Sequence, residues 1–222
     1  MTSRPSRLTR QESQEQTREK LRQSALRAIS RHGVAGAGIE QIAREAGYSR
    51  GAFYSNYASK LEILTDIVEQ RQVREVRRWR DLADKAENAD DLLAEMSADF
   101  SRRVLAREGA VLEAELQLEA DRNPEFRPIF QAYLDTLFDE MRVFFVIVLR
   151  RSGKAPPDDL EISLAMVRAM TLGLGSGTLL GSAVGRRFSP EAALLNVLRR
   201  IVNDAPPMTT AEAHTNAGRL ST

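Results

Sequence analysis

Cysteine is absent from this chain of 222 residues, and histidine occurs only twice. Without cysteine neither a disulfide framework nor a thiolate metal site can form. Nucleophilic catalysis generally needs a Ser, Cys or Thr activated by a nearby base such as histidine. The sequence offers no such set, no cluster with metal-ligand spacing and no phosphate-binding loop. These absences argue against an enzyme and against a bound cofactor or metal.

Long hydrophobic runs are also absent. The longest, from Val143 to Leu149, has seven residues, whereas a membrane-spanning helix needs about 20. The first sixteen residues have no apolar segment of the kind found in secretion signals. We therefore expect a soluble cytoplasmic protein without a membrane partner. The 42% apolar content suffices for a core, and helical spacing without any alternating strand pattern predicts an all-α fold.

The small net charge of +1 conceals an uneven distribution. Residues 1–60 carry eleven Lys or Arg and five Asp or Glu, whereas the remainder carries twenty-one and twenty-six. The first segment thus has a net charge of +6 and the rest a net charge of −5. A basic head on an acidic body indicates a polyanionic partner for the head.

The stretch from Gly38 to Lys60 predicts two short helices joined by a sharp turn. Gly47 stands where a helix end favours positive φ, and Ser49 can cap a second helix. That second helix is rich in small and polar residues, with Phe53 and Tyr57 on its other face. Such a helix can lie in the major groove of DNA. Four apolar residues mark the buried face of the first helix: Ile39, Ile42, Ala43 and Ala46.

The segment GIEQIAREAGYSRGAFYSNYASKLEIL resembles the DNA-binding signature of the TetR family of transcriptional regulators, over about the first quarter of the chain. Gly38 stands where the family has a threonine, which removes a hydroxyl contact to phosphate but leaves the backbone amides. The matching positions are Ile42, Ala43, Ala46, Gly47, Ser49, Gly51, Tyr54, Tyr57, Lys60 and Leu61.

The resemblance implies a homodimer that places two recognition helices on a palindromic operator in double-stranded DNA. Arg50 and Asn56 are expected to reach bases or phosphates, and Tyr54, Ser49 and Lys60 to contact phosphates. Small residues would let the helix approach closely. The full set of predicted DNA-binding residues is Gly38, Tyr48, Ser49, Arg50, Gly51, Ala52, Tyr54, Asn56, Tyr57 and Lys60.

Residues 1–58 form the predicted helix-turn-helix head of three helices, and this range includes a disordered arm at about 1–10. Residues 59–204 form a larger helical body for effector binding and dimerisation, and residues 205–222 a disordered tail. Four cap signals set helix starts: Thr9 with Glu12, Ser59 with Glu62, Asn123 with Pro124, and Ser189 with Pro190.

The body is rich in aromatic and methionine residues at helical spacing. Such a stripe is compatible with a simple core, but the resemblance also implies a pocket for a small effector. The candidate lining residues are Trp79, Met96, Phe100, Phe130, Tyr133, Phe138, Met141 and Met170.

Small residues recur every four positions near the end of the body. On a helix they form a groove into which another helix can pack closely, and each glycine costs about 1 kcal/mol of helix stability without such a contact. The partner can be a second copy or a neighbouring helix of the same chain. The predicted dimer residues are Ala169, Gly173, Gly177, Gly181 and Gly185, with Leu194, Leu198 and Ile201 of the last helix.

Together these features predict a ligand-responsive transcriptional regulator, in the first place a repressor. A small hydrophobic or cationic effector would release it from DNA. Two alternatives remain open from the sequence: a dimeric DNA-binding protein without an effector, such as an architectural or partition factor, and an activator.

Overall fold

A computed structural model describes residues 9–103, 106–180 (without the side chains of 178–180) and 188–209. These residues form nine helices and no β-strand, which confirms the predicted all-α fold. The helices are α1 (Arg10–Gly36), α2 (Ile39–Glu45), α3 (Arg50–Tyr54), α4 (Lys60–Lys85), α5 (Ala89–Arg103), α6 (Arg107–Arg122), α7 (Arg127–Arg151), α8 (Leu160–Leu180) and α9 (Pro190–Asp204).

Local capping chemistry sets most helix starts as predicted. Thr9 and Glu12 form a reciprocal capping box at the start of α1. Ser49 accepts a hydrogen bond from the Ala52 amide, and Ser189 caps α9 ahead of Pro190. The start of α7 differs from prediction. The segment from Asn123 forms a turn in which its side chain accepts from the Phe126 amide, and the helix begins at Arg127.

The chain divides into two compact units. Of the described residues, the N-terminal unit comprises those up to Arg71 together with Leu112–Phe130, and the C-terminal unit comprises those of Gln72–Val111 and those after Phe130. This division differs from the predicted boundary near residue 58, because the start of α4 and most of α6 pack with the head. Within the N-terminal unit Glu113 pairs with Arg71 at 3.3 Å.

The core of the N-terminal unit contains the apolar stripes expected from the sequence. Leu21, Ala25 and Ile29 of α1 are buried. Ile42 and Phe53 bring α2 and α3 onto the same core, and further buried residues come from α4: Ile63, Leu64, Ile67 and Val68. This packing fixes α2 and α3 from one side and leaves the opposite side of α3 exposed.

A second core lies in the C-terminal unit, where α9 packs against α5 and α8. Leu194 and Leu198 of α9 are only 2% and 0% exposed, because they fill this core within one chain. Their predicted place in a dimer interface is therefore wrong. Ile201 packs partly buried against the same core.

The small-residue row of α8 is open in its described part. Ala169 and Gly173 are exposed, Gly177 is half-buried, and no atom lies within 4 Å of where a Cβ would stand on Gly173. On the same helix Ile162 and Met166 are 64% and 66% exposed. The predicted residues Gly181 and Gly185 lie outside the described residues.

Part of the predicted disordered tail is ordered. Ala205 is buried, the Ala155 amide donates to the Pro206 carbonyl, and the Met208 amide donates to the Gly153 carbonyl. The tail beyond Thr209 and the arm up to Leu8 lie outside the described residues. In the described part of the chain, no helix has the length and apolar character needed to cross a membrane.

Candidate nucleic-acid interface

Helices α2 and α3 are joined by a glycine turn. Gly47 has φ +82°, a left-handed conformation that a glycine adopts without strain. The Tyr48 amide donates to the Ala43 carbonyl, and Ser49 starts α3 directly afterwards. At the other end of α2, Gly38 is the N-cap and is exposed, and no side chain caps the helix there.

The outer face of α3 is accessible along its length. Arg50, Gly51 and Ser55 are exposed, and Tyr54 is 45% exposed. Ala52 is half-buried. The guanidinium of Arg50 lies 5.6 Å from the centre of the Tyr54 ring. This surface combines a fork-shaped cation, hydroxyl groups and short side chains, which are the groups that read base edges and phosphates.

Tyr48 lies beside this surface with its side chain half-buried. Its hydroxyl accepts a hydrogen bond from the Thr17 hydroxyl at 3.4 Å, and the Lys20 ammonium lies 5.8 Å from its ring centre. Thr17 and Lys20 therefore stand next to the candidate interface. Sequence reasoning missed them because they lie on α1, thirty residues away, and no local motif marks them.

Tyr57 does not belong to the DNA-facing surface, although it was predicted there. It is 1% exposed, and its hydroxyl donates to the Asp66 carboxylate. The Arg18 guanidinium lies 4.2 Å from its ring centre. The physical reason is the four-residue spacing from Phe53, which places both rings on the buried face of the segment. Tyr57 is a core residue that holds α3 to α4.

Tyr57 is part of a buried polar group that we name the Asp66 cluster: Arg18, Arg22, Tyr57 and Asp66. One oxygen of Asp66 accepts from Arg22 at 2.8 Å, from Arg18 at 3.1 Å and from Tyr57. Burial alone would raise the pKa of Asp66, but hydrogen bonds from Tyr57 and Arg22 outweigh it and hold that pKa below its ordinary value. Burial, followed by the neighbouring carboxylate, raises the pKa of Tyr57.

Lys60 was predicted to contact a phosphate, and the structure places its ammonium elsewhere. The ammonium donates to the Val34 carbonyl and, at 3.4 Å, to the Ala35 carbonyl. Burial lowers the pKa of Lys60, and the charge of Glu119 opposes part of this effect. In the free protein the cation therefore links the start of α4 to the end of α1.

Asn56 is also turned away from the outer face. Its side-chain amide donates to the Ala52 carbonyl at 2.8 Å, and its backbone carbonyl accepts from Arg18. The side-chain contact with DNA predicted for Asn56 is thus not prepared in the free protein. Of the ten predicted residues, the outer surface contains Gly38, Ser49, Arg50, Gly51 and Tyr54, with Tyr48 and Ala52 at its edge.

The predicted effector residues divide between the two units. Phe130 lies in the N-terminal unit and stacks on Phe126 at 6.0 Å. Tyr133 is buried in the C-terminal unit. The other six surround one core, and Trp79 meets Phe144 at 6.4 Å. These six are Trp79, Met96, Phe100, Phe138, Met141 and Met170.

Comparison with known proteins agrees with this geometry, which is that of a helix-turn-helix DNA-binding domain. Residues 21–67 match the family described as bacterial regulatory proteins, tetR family. The N-terminal region is thus a DNA-binding domain of the kind found in TetR-family transcriptional regulators.

One relative is the HTH-type transcriptional regulator CymR of Pseudomonas putida. It is 31% identical over 123 residues, which are 55% of this chain and 60% of CymR. The matches to the first curated relatives span between 27% and 60% of those proteins' own length. The chain therefore matches only part of the length of these relatives.

Solved structures share the fold over most of the chain. The regulator FadR of Bacillus subtilis, determined in complex with stearoyl-CoA, has a TM-score of 0.67 at 18% identity and covers 83% of this chain and 97% of its own. A regulator from Saccharomonospora viridis, determined in complex with choline, has a TM-score of 0.67 at 19% identity and covers 85% and 96%. At these identities the likeness concerns the fold alone.

Proposed function

We propose that this protein is a transcriptional repressor that binds a palindromic operator as a homodimer and leaves it when a small effector binds. The observation that carries the proposal is the accessible face of α3. Arg50, Gly51 and Tyr54 are open to solvent, while Phe53 of the same helix is fully buried. Recognition helices of helix-turn-helix proteins enter the major groove in this manner.

The exposed apolar face of α8 supports the homodimer. Ile162, Met166, Ala169 and Gly173 follow one another at helical spacing and are all exposed in the single chain. A second copy with the same row would cover this face by a two-fold contact. The glycine permits a close approach of the two helices because it has no side chain.

Two of the structural neighbours support a small effector. One was determined with stearoyl-CoA and the other with choline, so related folds hold both an apolar chain and an organic cation. We propose a hydrophobic or cationic effector in the C-terminal unit, near the six aromatic and methionine residues that surround its core. It would act through its different affinity for the DNA-bound and released forms.

Selection of bound DNA from a random pool tests the central proposal. The expected result is a palindrome with half-sites about 34–36 Å apart, or a multiple of that distance, whose affinity falls steeply with salt. An absence of selected sequence would refute operator recognition, and a single unrepeated half-site would refute the dimer.

A thermal-shift screen with hydrophobic and cationic compounds separates the two remaining alternatives. A specific effector raises the unfolding midpoint with the logarithm of its concentration over its Kd. If no compound in a broad library does so, a DNA-binding dimer without an effector is the better description. Reporter expression with the operator placed upstream or across the promoter then distinguishes an activator from a repressor.

A further inference from the structure

Glu40 forms an ion pair with Arg50 on the candidate DNA surface. Glu40 lies in the first turn of α2 and Arg50 is the first residue of α3, so the pair spans the turn between the two helices. The carboxylate and the guanidinium approach to 2.7 Å, yet their side chains are 70% and 61% exposed. The pair therefore stands in water beside the surface that would face a polyanion.

A second acid on α2 has different surroundings. Glu45 accepts from Gln41 at 2.9 Å and lies 3.8 Å from Arg31 of α1, and its side chain is 26% exposed. It is thus held between α2 and α1, whereas Glu40 is held by the recognition helix. The two glutamates carry the same charge on the same short helix and differ in whether they face α3.

Stability does not account for the Glu40–Arg50 pair. Exposed ion pairs contribute little to folding, because water screens them and both side chains lose freedom. A carboxylate at this place is also unfavourable for general DNA binding, since phosphates repel it. Its presence makes physical sense if the bound base sequence supplies a hydrogen-bond donor for it.

The major groove offers such a donor. The N4 amino group of cytosine donates to Glu or Asp side chains, and the guanine edge accepts from Arg. Where a half-site presents these edges, Glu40 and Arg50 give up their ion pair, and each forms a hydrogen bond with a base instead. Where it does not, the carboxylate is left without a donor close to phosphates, which is a penalty against the wrong sequence.

We propose that Glu40 is a specificity-determining residue whose carboxylate accepts a hydrogen bond from the N4 amino group of a cytosine in each half-site and weakens binding to other DNA. The inference rests on the proposed operator-binding function. In the free protein Arg50 holds the carboxylate in place, so that it reaches the groove already positioned.

The test compares wild type, Glu40→Gln and Glu45→Gln by selection from a random DNA pool, followed by titration of the selected operator and of unrelated duplex DNA. Glu45→Gln is the matched control because it changes the net charge equally on the same helix. Circular dichroism and unfolding midpoints establish that all three proteins are folded.

For Glu40→Gln we expect the cytosine preference at one position of each half-site to disappear. The ratio of operator to unrelated affinity should fall by about 5- to 150-fold, the usual discrimination of one good base contact. Glu45→Gln should keep both the preference and the ratio.

Three results would overturn the inference while leaving operator binding in place. Glu40→Gln could select the same bases as wild type at every position. It could strengthen binding to all DNA uniformly and by the same factor as Glu45→Gln, which would reveal a general charge effect. It could lose only a guanine preference, which would make Glu40 a positioning residue for Arg50. If wild type itself selects no sequence, the proposed function fails and the inference fails with it.

Discussion

The Asp66 cluster and the Glu40–Arg50 pair of the N-terminal unit differ in their access to water. The Asp66 cluster is buried, with Arg22 and Asp66 only 5% and 6% exposed. The Glu40–Arg50 pair is largely exposed. Buried charges that lose a partner destabilise a fold strongly, whereas exposed pairs contribute little. The comparison indicates that the first set holds the helices together and the second is free to interact with another molecule.

The largest effect on stability should come from the Asp66 cluster. Asp66→Asn removes the negative charge that faces Arg18 and Arg22, and we expect the free energy of unfolding to fall by about 3–5 kcal/mol. Denaturant titration measures this change. The control is Asp84→Asn, an exposed site on the same helix, which should stay within about 0.5 kcal/mol of wild type. Equal effects of the two substitutions would contradict the assigned role of the cluster.

The same carboxylate makes stability depend on pH. Because the pKa of Asp66 is lower in the folded protein than its ordinary 3.8, the unfolded chain binds the proton first as pH falls. The contribution of Asp66 is present above 3.8 and is lost between that value and the folded pKa. We expect Asp66→Asn to flatten the decline of stability in acid, measured by unfolding at a series of pH values. If the stability of the variant falls in acid as steeply as that of wild type, other carboxyl groups, such as that of Asp99, cause the acid destabilisation.

Two glycines with positive φ provide an effect of intermediate size. Gly33 has φ +72°, and a Cβ there would lie 2.7 Å from the Glu115 carboxylate, which accepts the Val34 amide at 2.8 Å. Gly47 has φ +82° and open space around it. Gly47→Ala should cost about 1–2 kcal/mol from backbone strain. Gly33→Ala should cost about 1–3 kcal/mol more, because displacing Glu115 breaks a hydrogen bond to a charged group.

Unfolding measurements on both glycine variants check this difference. If they are equally destabilised, Glu115 moves aside freely and does not hold the end of α1.

Substitutions on the exposed face of α3, which includes Arg50 of the exposed pair, should have the smallest effect on stability and the largest on DNA binding. Arg50→Ala combined with Tyr54→Ala should change the free energy of unfolding by no more than about 0.5 kcal/mol, since both side chains are accessible. Affinity for the selected operator should fall by about 100-fold or more, measured by fluorescence anisotropy. A folded double variant that binds the operator as wild type does would remove α3 from the recognition surface.

Local signals in the sequence predicted the helix ends well. Thr9, Ser49 and Ser189 each cap a helix as expected, because a cap depends only on residues three positions apart. Gly47 adopts positive φ at the predicted turn for a similar reason. The candidate recognition face could also be predicted from the sequence, since helical spacing separates Arg50 and Tyr54 from the buried Phe53.

Contacts between distant segments could not be predicted in this way. Helical spacing placed Leu198 on an apolar face but did not reveal that its partner is α5 of the same chain. Nothing near Lys60 indicates that its ammonium reaches the carbonyl of Val34. Tyr57 belongs to the matching motif, yet its hydroxyl donates a hydrogen bond to the carboxylate of Asp66, nine residues later. In each of these cases tertiary packing determines the partner of the side chain.

The single acceptor oxygen of Asp66 has a consequence for motion. Its three donors come from α1 and from the segment between α3 and α4, while the carboxylate itself is on α4. None of these segments can separate without exposing a charge on the others. Their core amides should therefore exchange hydrogen with solvent through one concerted opening rather than by successive fraying, and the helices that present α3 should move as a block.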